Sequence, residues 1–149
     1  YRQLLEKYPD KAYSKLVGLR LGGLPLSAGY AQLAGFGHVF QAAATGTGNG
    51  TAANVRGYSL VALQITTSGG PPTFTIAFEG SVDTATYVTL MCGAPDLSNW
   101  HAASSTATGV WRCNVAGLSS FRARISTFAG AGSVTVTGVI LALFPAVLG

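Results

Sequence analysis

Within the stretch Thr73 to Ile125, apolar residues recur at every second position in 74–78 and again in 121–125, and that alternation commits the chain to sheet. In Phe74-Thr-Ile-Ala-Phe-Glu-Gly-Ser-Val-Asp83, Phe74, Ile76 and Phe78 share one face of an extended strand. Thr73, Thr75 and Glu79 share the other. Gly80-Ser81-Val82-Asp83 supplies turn chemistry, with Asp83 expected to cap the turn through its side chain. Tyr87 to Met91 opens a second strand. Phe121-Arg-Ala-Arg-Ile125 repeats the alternation, which sends Arg122 and Arg124 to the face opposite Phe121, Ala123 and Ile125. Those arginines are expected to pair with Glu79 or Asp83 across the sheet, or to meet a neighbouring subunit.

The same period appears at 61–66, 86–92, 110–115, 121–128 and 133–143, with turn signals such as Ser68-Gly-Gly-Pro-Pro72 between runs. Strands spaced in this way, joined by short turns, predict an all-β, antiparallel β-sandwich or jelly-roll-like domain over 58–149. Residues 1–57 read as an N-terminal arm, a short helix over 1–17 followed by a Gly/Ala-rich connector. The arm contains one weak strand signal at His38–Ala42. Leu4, Leu5, Tyr8, Tyr13, Leu16 and Val17 form the apolar stripe of that helix, which is too short to stand alone and must dock on protein. The chain opens on Tyr1 rather than Met, which points to processing or to further residues upstream. No signal-peptide pattern is visible in residues 1–20.

Only 9% of the residues are charged, against about 25% in an average soluble domain. So few charges solvate a large free surface poorly, and part of it is expected to be covered by other protein. In the run Val139-Ile-Leu-Ala-Leu-Phe144 both strand faces are apolar. A single sandwich buries one face of a strand, so Leu141, Leu143 and Phe144 are the candidates for self-association in a symmetric homo-oligomer, with a trimer favoured. The run is far too short to cross a bilayer, and no membrane partner is expected. The net charge of +4 is concentrated in residues 1–20, where five cations face two carboxylates, leaving +3 there and +1 in the remainder. Three net charges without a basic run support only weak phosphate binding, so nucleic acid is not the expected partner.

The titratable groups point away from catalysis. Five carboxylates and two histidines in 149 residues leave little to pair for acid–base work, and neither a nucleophile elbow nor a phosphate-binding glycine loop occurs. No catalytic residue, metal site or cofactor is expected. Glu79 and Asp83 lie four apart across a turn, but two carboxylates fall short of a calcium ligand set. Cys92 and Cys113 sit in apolar strand contexts where buried free thiols are the simpler reading, and a bridge is open to them if their strands are neighbours. In the long loop 93–109, Trp100 and His101 are the candidates for glycan contact, although closing one end of the sandwich is the plainer role for Trp100. Trp111 alternates with Cys113 and Val115 and belongs in the core.

The succession from Phe74–Asp83 through Tyr87-Val-Thr-Leu90 and Val110–Ile125 to Gly132-Ser-Val-Thr-Val-Thr-Gly138 resembles a β-sandwich domain of structural proteins of tailed bacteriophages. The resemblance covers roughly residues 58–143. It implies a virion component such as a capsid decoration (cement) protein or a minor tail protein. With the apolar arm, the expectation is a non-enzymatic decoration protein that binds the major capsid protein or another virion protein through that arm. The expected location is the capsid surface, after assembly in the host cytoplasm. The alternative it implies is a host-recognition or minor tail or fibre module that binds glycan. A weaker similarity to discoidin-like, galactose-binding sandwiches breaks down at Asp83-Thr-Ala-Thr-Tyr87, where the usual Asp-Gly-x-x-Trp is missing.

Overall fold

The computed structural model describes residues 34–96, 98 and 101–142. Among these every regular element is a strand: β1 (Ala34–Ala44), β2 (Ala53–Asn54), β3 (Leu60–Ser68), β4 (Thr73–Ser81), β5 (Val88–Thr89), β6 (Ser104–Ser105), β7 (Gly109–Asn114), β8 (Ser120–Ala129) and β9 (Ser133–Ala142). They form two sheets, ordered β1-β9-β3-β7 and β2-β8-β4-β5, with β6 beside β4. Strands consecutive in the chain mostly alternate between sheets. This strand order is that of an eight-stranded jelly roll, with β6 as an addition. The expected all-β, antiparallel sandwich is what the chain forms.

Strict alternation builds the core. Val61, Leu63 and Ile65 of β3 face Phe74, Ile76 and Phe78 of β4 across the sandwich, each at most 3% exposed. Phe121, Ala123 and Ile125 of β8 and Val134, Val136 and Ile140 of β9 complete the layer. Registers keep the inward sets together, with Val61 opposite Ile140, Leu63 opposite Trp111 and Phe78 opposite Ala123. Burying each large side chain contributes about 1.5–3 kcal/mol, so this layer outweighs any surface feature. A bulge at Ser126 shifts the β4–β8 register, with Ile76 paired to Ile125 and Thr75 to Thr127. Gly138 takes an inward position because a Cβ there would lie 2.9 Å from the Phe40 ring.

Three expectations change. The sandwich begins at β1, so residues 34–57 contribute two strands rather than a connector, and the domain boundary does not fall at 57/58. In the Ala/Gly-rich segment 35–44 only Phe40 and Gln41 are buried, which leaves the hydrophobic alternation weak. The run at 86–92 is not one strand. Val88–Thr89 pairs with β4, after which the chain crosses to the other sheet: Cys92 pairs with Ala102, and Gly93 with Arg112 at the edge of β7. That crossing brings the cysteines together, and they form a disulfide with 4.6 Å between Cα atoms instead of lying as free thiols. The helix expected over residues 1–17 lies outside the described residues.

Candidate functional site

The outer face of the second sheet carries the strongest electrostatics. Arg122 donates its Nε to Glu79 Oε1 at 2.7 Å. Arg124 donates Nε and an NH2 group to Glu79 Oε2, both at 2.9 Å. The Arg122 guanidinium also stacks 3.8 Å from the Tyr87 ring centroid. The Tyr87 hydroxyl is hydrogen-bonded to Ser120 at 2.8 Å. The pairing follows from register, since Glu79 sits directly opposite Arg122 and the arginines alternate out of the core. Burial of Glu79 opposes its charge, but hydrogen bonds and charge from Arg124 and then Arg122 outweigh it and hold the carboxyl below its ordinary range. The expected cross-sheet pairing therefore goes to Glu79, and Asp83 takes no share of it.

Asp83 instead locks its own turn. Its Oδ1 accepts hydrogen bonds from the Thr86 amide at 2.7 Å, the Ala85 amide at 2.8 Å and the Ser81 hydroxyl at 2.8 Å. Those bonds, the backbone ones foremost, push its carboxyl down to about 2. Asp96 likewise accepts the Ser98 amide at 2.9 Å, and its hydrogen bonds with Ser98 hold it low. All three carboxylates among the described residues thus serve local structure, and none stands poised as a base. Among the same residues no group of three metal-ligating side chains assembles.

A hollow of about 560 Å³ lies beside β7. Pro95, Asp96 and Ser98 form one wall, and the stretch from Ser104 to Thr108 forms another. Trp111 also lines it, 7% exposed, with its ring 5.2 Å from Phe78. A second hollow of about 310 Å³ holds Met91, His101, Arg112 and Asn114. Ala94 and Pro95 line both. His101 is exposed there, while its neighbour Trp100 lies outside the described residues. Sequence reasoning singled out this loop for Trp100 and missed the Ser/Thr wall, whose signal was only a low-complexity tract.

On the first sheet the outer face carries an apolar patch where β3, β7 and β9 meet, with Gln64 and Thr137 lining it alongside. Val110 is 43% exposed and Val139 45%, with Ala62 directly opposite Val139. A groove of about 240 Å³ runs between them. Ile140 turns inward and is fully buried, while Leu141 stays half-buried on the outward set, so the run from Val139 presents apolar side chains both ways. Leu143 and Phe144, and the arm residues Leu4, Leu5, Tyr8, Tyr13, Leu16 and Val17, lie outside the described residues.

A family model described as XepA matches residues 35–140. Two crystal structures are similar. The SPBc2 prophage-derived protein YomS superposes with a TM-score of 0.67 at 19% identity, covering 80% of this chain and 100% of that one. The PBSX exported protein XepA superposes with a TM-score of 0.68 at 17% identity, covering 80% of this chain. The match spans 45% of that XepA chain, under half its length. No curated protein sequence matches the chain.

Proposed function

The chain belongs to the XepA family, and from that premise we propose that it is a phage-derived, non-enzymatic structural protein that works by association. Its most specific form is a capsid decoration (cement) protein on the virion surface, bound to the major capsid protein through residues 1–17 and to copies of itself. The prophage origin of YomS and the export of the PBSX protein XepA support a phage setting. A buried disulfide fits work outside a reducing cytoplasm.

The single observation that carries the association reading is the outer face of the first sheet. Val110, Val139 and Ala62 lie together there around a groove, while the second sheet covers its own face with the Glu79–Arg122–Arg124 lock. Covering the valines removes apolar surface from water at about 25 cal/mol per Å², and a symmetric assembly repeats that gain at each seam. Among the described residues the three carboxylates are each engaged in local hydrogen bonds, which leaves no acid–base pair there.

The reading is tested by placing the purified full chain on phage particles that lack it. Decoration visible by electron microscopy, together with slower heat inactivation of the particles, is the expected result. Val139→Asp should weaken self-association in sedimentation by at least about tenfold, since tenfold is about 1.4 kcal/mol and burying an unpaired charge costs more than that. A chain that sediments as a monomer and leaves particles bare removes the proposal.

A further inference from the structure

The paired hollows beside β7 share only Val110 with the association groove, and their chemistry is of another kind. Ser104, Thr106 and Thr108 line the larger one with hydroxyls that both donate and accept. Asp96 adds a carboxylate held by the Ser98 hydroxyl and amide, and its remaining oxygen lone pairs accept. Ser105 is committed elsewhere, donating to the Ala107 carbonyl at 3.0 Å. A wall balanced between donors and acceptors suits a ligand that carries many hydroxyls better than an apolar one.

The smaller hollow adds charge. Arg112 lines it beside Asn114, across the shared Ala94–Pro95 wall. Arg112 follows Val110 by two residues on the outward set of β7, about 7 Å along the strand, and Val110 lines the larger hollow. Among the described residues Arg112 has no ion pair, whereas Arg122 and Arg124 are both spent on Glu79. The walls are held firmly: Gly93 and Arg112 exchange two backbone hydrogen bonds at 2.8 and 3.0 Å, and the disulfide fixes Cys92 to β7. A preorganised wall lowers the ordering cost of binding.

We propose that the two hollows form one site for an acidic carbohydrate, its hydroxyls in the Ser/Thr-lined cleft and its anionic group on Arg112. The proposal is separable from the association reading, since Val110 is the one lining residue the two share and neither Val139 nor the arm contributes to it. Calorimetric titration of the full chain with an oligogalacturonate and with a neutral malto-oligosaccharide of equal length tests it. The acidic oligomer is expected to bind about tenfold more tightly than the neutral one, the scale of one charge-assisted contact. Arg112→Ala, and Arg112→Gln as a second variant, should erase that preference without moving the melting temperature. Ser104→Ala with Thr106→Val should weaken the acidic oligomer severalfold, as lost hydrogen bonds of about 1 kcal/mol each would. Absence of binding at millimolar concentration, equal binding of both oligomers, or wild-type binding in any of these variants overturns the proposal.

Discussion

The two flanks of the sandwich are closed by crossing segments of similar design and unlike chemistry. On the β7 side, residues 90–93 leave β4 and reach β7, and a covalent bond between Cys92 and Cys113 secures the crossing. On the β1 side, residues 48–51 run between β8 and β1 and are held by hydrogen bonds alone. Gly48 and Ile125 exchange two, at 2.8 and 3.1 Å, and the Thr51 amide donates to the Phe40 carbonyl at 2.9 Å. Between that bridge and β2 the Ala123 carbonyl has no strand partner, and the buried Gln41 amide donates to it at 2.8 Å while also reaching Gly48. One flank thus depends on redox state, and the other on one side-chain amide and a glycine. The contrast teaches that closing a sandwich edge requires its backbone groups to be satisfied, by whatever means the local sequence supplies.

Removing the bond from the first flank should have the largest effect. The double variant Cys92→Ala, Cys113→Ala is expected to lose about 3 kcal/mol in denaturant unfolding, the loop-entropy term for cysteines 21 residues apart. A loss below about 1 kcal/mol would mean the backbone ladder closes that flank unaided and the contrast is void. On the other flank, Gly50 has φ +67°, and a Cβ there would meet the Phe40 carbonyl and the Gln41 amide. Gly50→Ala should therefore cost about 2 kcal/mol, from left-handed strain and displacement of the crossing segment. Gln41→Leu keeps the volume but strands the Ala123 carbonyl, for an expected loss of about 1–2 kcal/mol. If these two variants leave stability unchanged, the hydrogen-bonded flank contributes nothing.

The smallest effect is set by pH and lies away from both flanks, which makes it a control. Glu79 and Asp83 both have lowered carboxyl pKa values when folded, so the unfolded chain binds more protons in acid. Their stabilisation is complete above the unfolded values of 4.5 and 3.8 and drains away as pH falls, for Asp83 through about 2. Melting temperature should fall over that window in wild type. Asp83→Asn, which keeps an acceptor oxygen, should flatten only the lower part of the curve. A melting temperature level from pH 5 to 2 would contradict both locks.

The long strands were legible because their side chains alternate without interruption. Val61, Leu63 and Ile65 or Phe74, Ile76 and Phe78 admit one register against a core, since a slip of one residue would turn every one of them to water. The Asp83 turn was legible for a similar reason, as its hydrogen bonds reach no further than three residues. β1 was only half legible: its buried pair Phe40–Gln41 breaks alternation, and its glycines and alanines read as linker. The hydroxyl-lined cleft was hidden because Ser98, Ser104 and Thr108 become neighbours only after the chain crosses at Cys92.

The sequence by itself determined that this protein is a layered β domain, which strands supply its core, and that Arg122 and Arg124 face outward. Those properties depend on a two-residue period that any extended chain obeys. Tertiary structure alone decided which partner each outward group found, that Cys92 and Cys113 join, that Gln41 serves the Ala123 carbonyl, and where the hollows lie. Such pairings join residues tens of positions apart, and their geometry is set by strand order and crossing segments, which local periodicity does not encode.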